Sequence, residues 1–232
     1  MAEASDTFIL TIDGPVGSGK GTIGQLIARH YGWHYLDSGA LYRAFSYVAD
    51  QHGISCDDDE ALENLINSLE ISFIPTTDGG SDIKINGEDV TDKVRHESAG
   101  ILASRYAAKP VVRGLLFDLQ KRAVKPPGLV ADGRDMGSVV FPQANLKIYL
   151  TASAQSRAQR RYKQLKLKGF NVNLTRLVED IKQRDWQDVN REHSPLAPAE
   201  DAIVLDTTSM KIDQVYNKIV ELIDKNAVTA SL

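Results

Sequence analysis

The stretch GPVGSGKGT, residues 14–22, follows directly on the apolar run FILTID and sets four glycines and one lysine at fixed spacing. Gly14-x-x-x-x-Gly19-Lys20 is the pattern of a loop whose backbone N–H groups converge on phosphate oxygens, since glycine lets successive amides turn toward one anion. A helix starting at its end adds roughly half a positive charge, and Lys20 would reach the β- and γ-phosphates of a nucleoside triphosphate. Pro15, Val16, Ser18 and Thr22 complete the loop. The competing reading is a tight strand-to-helix turn with no ligand, which the coincidence of strand, motif and helix disfavours. One position departs from the pattern: Gly21 stands where a Ser or Thr would ligate Mg²⁺ directly, and Thr22 comes one place late. The ion would then be held mostly through phosphate oxygens and water, which Mg²⁺ tolerates because it dehydrates reluctantly.

Three further segments set arginine beside acids or turn-forming residues: DSGALYR (37–43), ADGRDMGSVVFP (131–142) and RDWQDVNR (184–191). A guanidinium fork binds phosphate bidentately, so these segments suit a second anion site. Singly, each arginine is as simply read as a solvated or salt-bridged residue, and Arg184 and Asp188, at i and i+4, could merely steady their own helix. Arg157, Arg160 and Arg161 share one helical face just before KLKGFN, either as a lid over ATP or as an ordinary solvated helix. Asp132 is either an acid that orients hydrated magnesium or a loop acid bonded to the phosphate loop. His30 and His34 have the spacing of a metal pair, but Gly32 breaks the helix between them and excludes zinc; Trp33 and Tyr35 read as core or interface.

These residues need elements to hold them. FILTID (8–13) reads as a buried parallel strand and KGTIGQLIARHY as a helix with Ile23, Leu26, Ile27 and His30 on one face, stopped by Gly32. WHYLDS is a second strand, and SGALYRAFSYVADQH a second helix with Ser38 as its N-cap. The acids of DDDEALENLINSLE suit the positive end of a helix. From Ile71 the period changes: ISFIP, DIKIN and EDVT, separated by TTDGGS and Asn86-Gly87, form a small antiparallel insert. HESAGILASRYAAK and PVVRGLLFDLQKRAVK, opened by Pro110, are helical. LVADGRD, LKIYLTA and AIVLDTT are strands separated or followed by SAQSRAQRRYKQLKLK, LTRLVEDIKQRDWQDVNR and MKIDQVYNKIVELIDK. Alternating strands and helices predict an α/β fold, a parallel sheet flanked by helices.

The 232 residues, 42% apolar and 25% charged, suffice for a sizeable core. A net charge of -4 argues against a surface built for a nucleic-acid polymer. The single Cys56 precludes an internal disulfide; MAEASDT lacks a signal's basic-then-apolar order, and no run approaches membrane-spanning length. A cytoplasmic monomer with no membrane partner is expected.

The variant GxxxxGKGT resembles nucleoside monophosphate kinases rather than GTPases, and Asn217-Lys218-Ile219-Val220 lacks the acid of a guanine motif. With DSGALYR, ADGRDMG and RDWQDVNR, the chain closely resembles the bacterial-type cytidylate kinases, P-loop NTPase-like proteins, from Phe8 to the last helix. The resemblance implies one kinase unit: a core of about 7–37, 96–152 and 200–226, a monophosphate-binding region of about 38–95 with its insert at 71–92, and a helical lid of about 155–190. It implies ATP and Mg²⁺, with CMP or dCMP as acceptor. Ser38 and Arg43 inherit roles at the acceptor phosphate, with Tyr42 lining the same site. Arg134 and Arg191 complete the clamp, Arg184 and Asp188 lie near the sugar, and Ser104, Arg113 and Asp135 face cytosine. A mid-helix Ser104 could equally bond its own backbone. Cytosine offers an N4 amino donor beside the acceptors N3 and O2, which a carboxylate and a guanidinium complement.

The acceptor is a phosphate monoester, already mostly anionic near pH 7, so no general base is required. Transfer needs in-line positioning and positive charge that follows the moving phosphoryl group, from Lys20, Arg134, Arg191 and Mg²⁺, with Asp132 holding the ion through water. Two rivals stay open: another small P-loop kinase, of adenylate or shikimate type, and a non-catalytic nucleotide-binding switch.

Overall fold

The computed structural model describes residues 7–76, 81–167, 169 and 171–230. In chain order these form β1 (Phe8–Asp13), α1 (Lys20–Tyr31), β2 (His34–Asp37), α2 (Ser38–Gln51), α3 (Asp59–Asn67), β3 (Ile71–Pro75), β4 (Ser81–Ile85), β5 (Glu88–Asp89), α4 (Thr91–Arg95), α5 (Glu97–Ala107), α6 (Pro110–Lys121), β6 (Gly128–Gly133), a π-helical turn (Met136–Val140), β7 (Leu146–Thr151), α7 (Ala154–Leu167), α8 (Leu174–Asn190), β8 (Ile203–Asp206) and α9 (Ile212–Ala230).

The continuous apolar strands pair as a five-stranded parallel sheet in the order β2-β6-β1-β7-β8. Such strands are apolar throughout because both faces are covered. On one face Leu10, Ile12, Ile148 and Leu150 pack with Ile23 and Ile27 of α1 and Ile219 and Ile223 of α9. On the other, Ile9, Leu129 and Ala131 meet Met136, Val140 and Phe141. β6 inserts between β1 and β2, so the strand order reverses beside β1, and a reversal of this kind opens a crevice at the carboxyl ends of the strands. Asp13, Asp37 and Asp132 all sit at that end, Asp37 directly opposite Asp132 in the register.

The insert is a three-stranded antiparallel sheet, β3-β4-β5. Asn86 and Gly87, at φ 50° and 84°, make the two-residue turn between β4 and β5 that an Asn-Gly pair favours. Residues of the TTDGGS turn at 77–80 lie outside the described residues, as do 168 and 170 of KLKGFN. The insert shares a core with the helices around it: Phe45, Leu62, Ile83, Val94, Val112 and Leu116 are buried together. A separate small cluster, Ala158, Leu177 and Ile181, holds α7 against α8.

Several local expectations hold for the reasons given. Gly32 ends α1 at φ 66°, and Trp33 N–H closes the turn on the Ala28 carbonyl at 2.8 Å. Asp58 caps α3 and Asp59 and Glu60 occupy its first turn. Trp33 stacks between Phe8 and Tyr31, ring centroids 4.9 and 4.7 Å away, as a core residue. Others need correction. The buried stripe of α1 is Ile23, Gly24, Ile27 and Ala28, with His30 exposed. Ser38 is not the N-cap of α2: β2 runs straight into the helix, and it is the Asp37 carboxylate that reaches the Ala40 N–H, at 2.8 Å. The α4 and π-helical turns, five residues each, are too short to show a period and escaped the sequence pattern.

Candidate active site

The loop between β1 and α1 is shaped by Gly14, Gly17 and Gly19 at φ 145°, 76° and 99°. Gly14 is also pressed against β7: a Cβ there would lie 2.0 Å from the Leu150 carbonyl oxygen. Gly14→Ala is therefore expected to destabilise the fold by about 3 kcal/mol or more, since backbone cannot yield as a side chain can. A denaturation midpoint within error of wild type would refute that. Lys20, the first residue of α1, is 6% exposed and its Nζ donates to the Pro15 carbonyl at 3.0 Å. Burial pushes its ammonium below the usual range and nearby Arg134 adds to this, while Asp132 and Asp13 pull the other way. The buried Ser18 hydroxyl finds no hydrogen-bond partner among the described residues.

Two buried acids stand beside the loop. Asp13, just before Gly14, accepts the Met136 N–H at 2.9 Å on one oxygen and the Gly137 N–H at 2.8 Å on the other. It fastens the segment carrying Arg134 and Asp135 to the start of the phosphate loop. Burial raises its carboxyl to about 6 against the two hydrogen bonds. A raised native value means the folded chain holds this proton more tightly than the unfolded one, so the contribution is intact at low pH and lost as pH rises through about 6. Asp13→Asn should thus flatten the wild type's fall in stability between about pH 4 and 6, a difference on the order of 3 kcal/mol. Parallel denaturant titrations across that range, with superimposable pH slopes for the two proteins, would sink the assignment.

Asp132, also pushed up by burial with Lys20 opposing, accepts the Tyr35 hydroxyl at 3.0 Å. A Cβ on Gly21 would lie 3.4 Å from the same Asp132 oxygen and 3.6 Å from the Tyr35 hydroxyl. The side-chain-free position after Lys20 thus faces an acid and a tyrosine.

Across the crevice the predicted acceptor residues converge, several of them on each other. Arg134 donates through Nε to Asp188 at 2.9 Å. Arg113 pairs with Asp135 and donates to Ser194 Oγ at 2.8 Å. Arg191 donates through Nε to the Ser194 carbonyl, and its buried Nη2 has no hydrogen-bond partner among the described residues. Arg43 and Arg184 approach the same spot on α5, where a Cβ on Gly100 would meet their Nη atoms at 3.3 and 3.2 Å. Burial lowers the guanidinium of Arg43, and Arg134, Arg161 and Arg95 add to this against Asp37. Burial likewise lowers Arg191, and it raises the Tyr42 phenol to about 12. Two serines have partners within the fold: Ser38 Oγ donates to Gln120 Oε1 at 2.9 Å, and Ser104 Oγ to the Gly100 carbonyl at 3.0 Å, the helix-internal bond open to a mid-helix serine.

The three α7 arginines separate. Arg157 is buried and makes four hydrogen bonds, to the Ala152 and Val16 carbonyls and to both oxygens of Asp185 on α8. Arg160 bonds the Ser18 carbonyl and Thr207. Arg161 makes no hydrogen bond or ion pair with the described residues. Asp185 and Asp188, one turn apart on α8, therefore anchor Arg157, which also bonds the glycine-rich loop, and Arg134 after β6. Trp186, between them in sequence, is 68% exposed.

The cytidylate kinase family model matches residues 10–225. The chain is 52% identical to a cytidylate kinase of Stutzerimonas stutzeri over 94% of its own length and 96% of the relative's. It is 50% identical to one of Shewanella denitrificans, covering 93% and 95%. The chain belongs to the cytidylate kinase family. Among solved structures, a gluconokinase from Sinorhizobium meliloti matches 98% of this chain and 99% of its own at 13% identity, with a TM-score of 0.48. As a family member the chain is an ATP-dependent nucleoside monophosphate kinase.

Sequence reasoning missed the residues that hold this cytidylate kinase site together rather than line it: Asp13, Tyr35, Gln120, Asp185 and Ser194. Asp13 carried a faint signal, an acid between an apolar strand and the first glycine; Asp185 carried another, an acid one turn before Asp188. Nothing in the order of residues marks Gln120 or Ser194.

Proposed function

We propose that the protein transfers the γ-phosphoryl group of ATP to CMP and dCMP, giving ADP and CDP or dCDP. The observation that carries this reading is the set of half-buried guanidiniums around Arg134, which lies in electrostatic reach of Lys20 on one side and of Arg43 and Arg191 on the other. Burial and neighbouring guanidiniums disfavour the charge on Arg43 and Arg191 despite the nearby acids, and a phosphate monoester opposite a triphosphate would offset that charge. Residues 14–22 hold the donor phosphates, with Arg157 and Arg161 of α7 as the lid cations beside them; Arg157 is bonded to the Val16 carbonyl of that loop. Ser38, Tyr42 and Arg43 take the acceptor phosphate with Arg134 and Arg191, while Arg184 and Asp188 lie by the sugar. Arg113 and Asp135 read the cytosine edge, with Ser104 beside them.

A divalent cation fits this donor set. Asp132 is a buried carboxylate facing the side-chain-free Gly21, which suits an ion held through water rather than by a hydroxyl. Bound Mg²⁺ would neutralise charge on the transferring phosphates. The chain's residues do the rest: Lys20 and the arginines align the two phosphates, and the flap of about 155–190 closes with the region of about 38–95 to exclude water. No helix of the described residues is long and apolar enough to cross a membrane, and we place the reaction in the cytoplasm, performed by single chains.

Coupled assays with CMP, dCMP, UMP and AMP test the reading. CMP and dCMP should give the highest kcat/KM, and preferred AMP turnover would overturn the cytidylate assignment. ATP hydrolysis indifferent to any added monophosphate would point to the switch instead.

A further inference from the structure

Ser194 lies between α8 and β8 at φ 50°, in the left-handed region that a non-glycine residue seldom adopts. Its two polar oxygens serve two different arginines. The carbonyl accepts Arg191 Nε, and Oγ accepts Arg113 Nη2 at 2.8 Å. That same Arg113 nitrogen also pairs with Asp135. The segment is pinned from its other side, because the N–H of buried Leu196 donates to the Asp188 carbonyl at 2.8 Å. An unfavourable backbone conformation persists only where the surroundings over-determine it, and it concentrates at functional sites. Here the left-handed turn points the carbonyl and the hydroxyl of one residue at guanidiniums arriving from α6 and from the end of α8.

We propose that Ser194 is a specificity-determining positioning residue: it fixes the Arg113 guanidinium against Asp135 and so sets the hydrogen-bonding edge that the pair presents to the acceptor base. The inference rests on reading Arg113 and Asp135 as the base-facing pair. Held on Ser194, Arg113 offers its other N–H groups to ring acceptors while Asp135 accepts an exocyclic amino group, the pattern of cytosine. Released from Ser194, the guanidinium can turn toward an exocyclic oxygen, and the discrimination against uracil falls. Ser194 acts through Arg113 and requires no contact of its own with the base.

The test is the ratio of kcat/KM for CMP to that for UMP in the full-length protein. Ser194→Ala removes the hydroxyl alone, and Ser194→Gly removes it while relieving the backbone. Since a hydrogen bond to a charged group is involved, both variants should lower the ratio about tenfold, mainly through a higher KM for CMP, with KM for ATP unmoved. Ser194→Gly should do so with an unfolding temperature at or above wild type, which separates loss of selectivity from loss of fold. Asp135→Asn is the control arm. A ratio unchanged in either Ser194 variant, while Asp135→Asn shifts it, overturns the role of Ser194 alone. A ratio unmoved by Asp135→Asn overturns the base-facing pair and this inference with it.

Discussion

Lys20→Met is expected to lower kcat/KM for phosphoryl transfer by about three orders of magnitude. Lys20 is held at the start of α1, buried and bonded to the carbonyl of Pro15 in its own loop. In the absence of phosphate its ammonium is disfavoured by burial and by Arg134. A bound triphosphate would reverse that balance, and in the proposed reading the Lys20 ammonium is the counter-charge to the transferring group. In so dry a setting one such contact is worth several kcal/mol, and about 4 kcal/mol accounts for the loss. Lys20→Arg should rescue little, because a broad planar fork cannot replace a compact point charge in a closed loop. Steady-state rates over a range of ATP and CMP concentrations, which give kcat/KM, decide it; a loss smaller than tenfold would remove Lys20 from the transfer step.

Arg134→Ala is expected to cost about 100- to 1,000-fold in kcat, with a raised KM for CMP. Two effects combine. The side chain pairs with Asp188 within electrostatic reach of Lys20, from where it would follow charge between the two phosphates in the proposed reading, and its removal also leaves the half-buried Asp188 carboxylate without its partner. Arg134→Lys should be nearly as poor, since Nε is engaged by Asp188 and only a guanidinium retains further N–H groups for phosphate. Because the pair acts as one unit, adding Asp188→Ala to Arg134→Ala should cost much less than the two single losses combined. Strict additivity in that double-mutant cycle would disconnect the two residues.

The sequence and the structure differ in an instructive way. Strand, loop and helix at residues 8–31 were readable because each is specified locally: an apolar run, glycines at turning points, and a helical stripe ended by Gly32. The convergence of Arg43, Arg113, Arg134, Asp135 and Arg191 was reachable only through family resemblance, since residues up to 148 positions apart meet there and no local pattern encodes that. What neither route reached was which polar groups are already engaged. Arg157, Arg160 and Arg161 look alike on a helical wheel, yet the first two are bonded to carbonyls of the glycine-rich loop while the third makes no hydrogen bond with the described residues. The same holds for Asp13, whose partners are 123 and 124 residues away. Residue type states what a side chain can bond; only the fold states what it has bonded.

The two tryptophans of this chain occupy opposite situations. Trp33 is wedged between Phe8 and Tyr31 and covers Gly128, where a Cβ would come within 2.7 Å of its ring. Trp186 stands in water on α8, between the acids that grip Arg157 and Arg134. One indole is therefore held in the core and the other sits on α8, within the helix pair proposed as a lid, so the unlabelled protein would carry its own optical gauge of the proposed closure. In a Trp33→Phe background, the emission of Trp186 alone would follow α8 as ATP and CMP arrive.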